Sequence, residues 1–172
     1  MGANHRYKFS WDLIGDIENG RPNLGFTTRL EVYRLMQFTF LEVMEKHLGA
    51  EKTDEIFYEA KYLAGQEFYH HYLGEENDFH KFSSKLQILF KEMGMGILRM
   101  ETVDMEHGRF IFSLSEDLDC SGLPDVGVEI FAYDEGFIAG ILHSFTGDKF
   151  KVKKVDCWCT GDRTCRFTAD KE

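Results

Sequence analysis

Apolar residues recur at helical spacing from Leu30 to Met93, and beyond Ile97 the pattern breaks into short β-rich runs with one more helical stretch between them. This change of period limits the available folds more than any other feature of the chain. Leu30, Tyr33, Met36, Phe40, Met44 and Leu48 mark a first helix, with Thr27 or Thr28 as its cap and Gly49 at its end. Leu35 and Phe38 lie off that stripe, so its apolar face is wider than one contact uses. Ile56, Ala60, Leu63, Ala64, Phe68 and Tyr72 predict a second helix, opened by Thr53 and Asp54 and closed by Gly74. Asp78 caps a third through Phe79, Phe82, Leu86, Leu89, Phe90 and Met93, which Gly94 and Gly96 stop.

Ile97 to Val103 and Phe110 to Leu114 read as a hairpin around Glu106-His107-Gly108, followed by a polar loop from Glu116 to Asp125. Ile130, Phe137, Ile141, Leu142 and Phe145 predict a fourth helix, where Gly136 and Gly140 form a strip that lets another element come close. Phe150 to Trp158 and Cys165 to Thr168 make a second hairpin. The expected class is α+β: a helical N-terminal half packed on an antiparallel sheet made of two hairpins with a helix between them. With 172 residues, 43% of them apolar, and no repeat or Pro/Gly/Ser linker, residues 1–172 read as a single domain.

A formal charge of −10 repels a phosphate backbone, and the only basic run, Lys149 to Lys154, is too short to offset it, so no nucleic-acid partner is expected. No stretch is apolar enough to span a membrane, and Met1 to Lys8 is polar rather than signal-like, which points to the cytoplasm. Catalytic signatures are missing: there is no serine elbow, no His-Glu-x-x-His, no phosphate-cradling loop and no Gly-x-Gly-x-x-Gly dinucleotide turn.

Four cysteines are the chemistry-bearing residues. Cys157 and Cys165 lie four residues either side of Gly161, so a hairpin turning at Gly161-Asp162 makes them cross-strand neighbours. Cys159 shares the strand parity of Cys157, and Cys120 is a candidate fourth sulfur. Two readings stand: free structural thiols, or a zinc site on Cys120, Cys157, Cys159 and Cys165, decided by whether the Cys120 loop reaches the hairpin. A redox or cofactor thiol is a third. His70, His71 and His80 cluster in sequence, and Glu67 can pair with His71. Phe68, His71, Phe82, Phe90, Phe110 and Trp158 are the candidates for lining an apolar pocket, and such aromatic stripes equally describe plain core.

The segments Cys120-Ser-Gly-Leu-Pro124, Gly136-Phe-Ile-Ala-Gly140 and Cys157-Trp-Cys-Thr-Gly-Asp-Arg-Thr-Cys165-Arg-Phe167 resemble the C-terminal half of the vinyl-4-reductase domain family. Leu24-Gly25, Tyr33-Arg34-Leu35 and Leu63-Ala64-Gly65 are similar to weaker upstream features, which extends the resemblance to roughly residues 20–168. It implies a fold related to the transport-protein-particle subunits of vesicle tethering and to the sensor domains of phenol-responsive activators. It also implies a homodimer and an apolar pocket. The phenol sensors hold structural zinc through cysteines that match Cys157 and Cys165, plus a cysteine and a glutamate whose positions fall here on Phe131 and Lys154. Neither of those side chains can ligate zinc.

Three functions follow from this reading. The first is a domain that holds a hydrophobic small molecule, aromatic, acyl or tetrapyrrole, as sensor or carrier, with a separate output protein if it is a sensor. The second is an enzyme or substrate-delivery subunit in vinyl reduction of a (bacterio)chlorophyll precursor, with a tetrapyrrole as cofactor or substrate. The third is a structural adaptor.

Overall fold

The computed structural model describes residues 8–74, 76–125 and 133–172. After a 3-10 turn at Trp11–Ile14 and a single turn α1 (Ile17–Gly20) come α2 (Leu30–Leu48) and α3 (Ala50–Phe68), the latter continued by a π turn at Tyr69–Leu73. Helix α4 (Phe79–Glu92) leads into strands β1 (Ile97–Asp104) and β2 (Arg109–Ser115). Helix α5 (Tyr133–Thr146) separates these from β3 (Phe150–Asp156) and β4 (Cys165–Lys171). The strands form one antiparallel sheet in the order β1-β2-β4-β3. The two hairpins thus merge through the β2–β4 pair, which sets Phe112 opposite Phe167 and Leu114 opposite Cys165. The α+β class expected from the change of period is the one found.

The core lies between the sheet and the helices. Leu98, Phe110, Phe112, Leu114, Val152 and Phe167 cover one sheet face, and Phe68, Phe82, Leu86 and Phe90 meet them from α3 and α4. Helix α5 is buried all round, with Phe137, Ile138, Ala139, Ile141 and Leu142 in the core, because it is sandwiched between α3 and the sheet. The glycine strip makes this possible. A Cβ on Gly140 would lie 2.1 Å from the carbonyl oxygen of Tyr62, and one on Gly136 2.5 Å from that of Tyr58. The facing Gly65 of α3 answers them, since a Cβ there would meet the Phe137 oxygen at 2.2 Å. Backbone therefore packs on backbone along this seam.

Several boundaries differ from the sequence reading. Helix α2 is preceded by Arg29, with no side-chain cap bond, so neither Thr27 nor Thr28 caps it. Helix α3 starts directly after Gly49, whose φ of +81° turns the chain at once, and Thr53 is buried inside the helix instead of opening it. Asp78 does cap α4, accepting from the Lys81 amide at 2.9 Å. The second hairpin does not turn tightly at Gly161-Asp162. Pairing of β3 with β4 ends at Asp156 opposite Arg166, and a 3-10 turn at Trp158–Thr160 follows, so Cys157 and Cys165 are not ladder partners. The positions of Ile130 and Phe131 lie outside the described residues.

Helix α2 stands apart from this core. Leu41 is its only buried residue, and with Phe57 of α3 it forms a small separate cluster. Leu35, Met36, Phe40 and Val43 are exposed.

Candidate functional site

The N-terminal end of α2 is tied to the segment after β2 by polar contacts. Arg34 donates from Nε to the Leu118 carbonyl at 2.9 Å and from Nη2 to that of Ser121 at 2.9 Å. Tyr33 donates its hydroxyl to Asp119 at 2.8 Å, and Gln37 donates to the same oxygen at 3.1 Å. A cavity of about 1160 Å³ opens between α2 and this segment. Phe26, Tyr33, Tyr72 and Trp158 line it with aromatic rings, and Leu30 and Met93 add aliphatic surface. The Trp158 indole is fixed by its N–H, which donates to the Leu123 carbonyl at 3.0 Å. Glu116, also on the wall, has a φ of +53° and is the one described non-glycine residue in the left-handed region. Such strain is held where surrounding contacts dictate the backbone, often at binding sites.

Beneath the cavity wall lies a buried ionic layer. Carboxylate oxygens of Asp117, Asp119 and Asp134 lie within 4.8 Å of one another. The Lys154 ammonium, with a side chain only 1% exposed, pairs with Asp134 at 2.9 Å, and its backbone amide donates to Glu135 at 2.7 Å. Burial pushes the Asp117 carboxyl up to about 6 and that of Asp119 up to about 7, with the neighbouring Asp134 charge adding to both. Burial acts on Asp134 in the same direction, but Lys154 and Lys61 outweigh it and hold that carboxyl below the usual range.

The thiols adjoin this layer. Sulfurs of Cys120, Cys157 and Cys165 lie within 4.8 Å of one another, with Cys120 and Cys165 at 2.9 Å. Cys120 also contacts Asp117 Oδ2 at 3.4 Å. The Cys120 loop therefore reaches the hairpin. Cys159 is fully buried but stands outside this group. Hydrogen bonds from Cys120 and Cys165 draw the Cys157 thiol down to about 2, whereas burial pushes Cys159 up to about 11. All four thiols are free.

The zinc ligand set implied by the phenol sensors does not fit here, because Lys154 presents an ammonium that is already engaged with Asp134. The corresponding Phe131 lies outside the described residues.

Among the aromatic positions nominated from sequence, Trp158 lines the large cavity. Phe68, Phe82 and Phe90 belong to the close-packed core, and Phe110 borders a smaller hollow of about 300 Å³ with Phe145 and Phe150. His71 is exposed and stacks on Trp11 with ring centroids 3.9 Å apart. Sequence reasoning misses the cavity residues Phe26, Tyr33, Tyr72 and Met93 and the acid Asp117. For Asp117 the available signal is the alternation Asp117-x-Asp119-Cys120 in a loop otherwise read only as polar.

Residues 110–171 match the model of the vinyl-4-reductase domain, a stretch that runs from β2 through β4 and includes all four cysteines. An uncharacterized protein of Methanocaldococcus jannaschii is 24% identical over 144 residues, spanning 84% of this chain and 78% of that one. Among solved structures, a vinyl-4-reductase family protein from the same organism is 17% identical over 99% of both chains, with a TM-score of 0.62. The phenol-responsive sensory domain of the transcription activator PoxR, solved with phenol, is 13% identical over 85% of this chain and 76% of that one, with a TM-score of 0.63. A trafficking protein particle complex subunit 3 from Naegleria fowleri, covalently bound to palmitic acid, is 13% identical over 83% of this chain and 95% of that one, with a TM-score of 0.63. The shared property at these identities is the fold.

Proposed function

We propose, on the premise that residues 110–171 carry a vinyl-4-reductase domain, that this chain is a binding domain for a hydrophobic small molecule, held in the cavity between α2 and the segment after β2. The observation that carries the reading is the aromatic lining of a cavity of about 1160 Å³, at or above the usual size of small-molecule sites. Relatives of the same fold hold phenol in one case and palmitic acid in another, so aromatic and acyl molecules are the classes to try first. The test is to extract purified protein with organic solvent and identify the extract by mass spectrometry. An apolar molecule near one per chain supports the reading, and its visible absorbance would identify a tetrapyrrole. Protein that carries nothing and shows no saturable affinity for hydrophobic probes contradicts it.

The exposed face of α2 supports a second element of the proposal, a homodimer. Met36, Phe40 and Val43 of α2 and Ile56, Phe57 and Ala60 of α3 line an open apolar groove. A contiguous apolar surface of this kind is uncommon on a free monomer, and self-association is the simplest way to cover it. Because Tyr33 lines both this groove and the ligand cavity, α2 separates the ligand from the partner copy.

A further inference from the structure

We propose that this chain holds one divalent, thiophilic metal ion on Cys120, Cys157, Cys165 and Asp117, a donor set different from the one its resemblance to the phenol sensors implies. Three buried sulfurs already converge to within 4.8 Å. Metal–sulfur bonds of roughly 2.3 Å in a tetrahedron require sulfurs about 3.7 Å apart, which small rotations of these side chains supply. The fourth donor is oriented in advance. Asp117 is 1% exposed, and its Oδ1 accepts the Asp119 amide at 2.8 Å, which leaves Oδ2 facing the Cys120 sulfur at 3.4 Å. A carboxylate buried against thiols has no strong hydrogen-bond donor there, and a cation is the partner that satisfies it.

The neighbouring residues decide against the alternatives. Cys159 shares a turn with Cys157 but falls outside the sulfur group. Lys154, at the position of the sensors' glutamate, points its ammonium at Asp134 and serves as a fixed positive charge beside the site. Binding needs all three sulfurs as thiolates and releases whatever protons they still carry, so three thiolates and one carboxylate surround the ion, and Lys154 offsets part of the remaining negative charge. The site joins the loop after β2, the end of β3 and the start of β4, which no disulfide connects among the described residues. The proposal stands independently of what fills the cavity.

The test uses the full chain expressed with zinc, followed by elemental analysis and by replacement with Co(II), whose near-ultraviolet sulfur-to-metal absorption scales with the number of thiolates. The expected result is one ion per chain and a three-thiolate tetrahedral cobalt spectrum. Cys159→Ala should keep both, Cys120→Ser should lose the ion or one third of the sulfur absorption, and Asp117→Asn should weaken binding at least tenfold in competition with a chelator. Wild-type protein with no zinc and no cobalt spectrum overturns the proposal. So does an ion lost on Cys159→Ala but kept on Cys120→Ser. If Cys120→Ser fails to fold, Asp117→Asn and the wild-type cobalt spectrum still decide.

Discussion

Gly140 has the least room of any described glycine in the α3–α5 seam, because its missing Cβ would overlap the Tyr62 carbonyl. Gly140→Ala must push the two helices apart, and a loss of about 3 kcal/mol is expected in chemical denaturation, at the upper end of overpacking costs. A change below about 0.5 kcal/mol would show that the seam is looser than described. Asp78 gives a pH-dependent prediction. Its carboxylate accepts the Lys81 amide, which holds its ionisation below the usual 3.8. A depressed folded value means the stabilisation is present above 3.8 and lost as pH falls below it. Asp78→Ala should therefore lower the thermal midpoint at neutral pH, and the gap to wild type should close in acid below about pH 3.8. At this scale the glycine strip and the Asp78 cap are legible in the sequence because each is a local rule. Asp117 is not, since its place in the site comes from contacts with a sulfur cluster that only the folded chain assembles.

The helices α2 and α4 show what periodicity can and cannot reveal. Their spacing predicts both elements closely, and the surplus apolar face of α2 is visible as Leu35 and Phe38 lying off the main stripe. The two divide in the structure: Phe38 packs with Leu41 and Phe57, whereas Leu35 faces outward together with Met36 and Phe40. The aromatic stripe of α4, which the sequence leaves open as core or pocket wall, places Phe82 and Phe90 in the core with α5 and the sheet. The cavity is instead walled mainly by residues between 26 and 34, residues between 115 and 122, Trp158 and Arg163, which have no common period and meet only in the folded chain. For the exposed face, sedimentation at micromolar concentration should give a species of twice the chain mass. Phe40→Glu should give the single-chain mass with unchanged helical content. A wild-type protein that sediments as one chain would remove the dimer.

On the scale of the molecule, the thiol cluster and the cavity share one wall. Cys120 is flanked by Leu118, Ser121 and Gly122, and Cys157 adjoins Trp158, all of them cavity residues. The antiparallel sheet fixes β2, β3 and β4 relative to one another, and α2 is clipped to the result through Arg34 and Tyr33. No described helix is long and apolar enough to cross a membrane. The central claim is that this cavity binds a hydrophobic molecule through the Trp158 face. The direct measurement is calorimetric titration of delipidated protein with an aromatic probe such as 1-naphthol, comparing wild type, Trp158→Ala and Phe82→Leu. The account predicts saturable one-to-one binding that weakens at least tenfold in Trp158→Ala and changes little in Phe82→Leu. Binding that survives in Trp158→Ala but is lost in Phe82→Leu, or no saturable binding in any of the three, would contradict it.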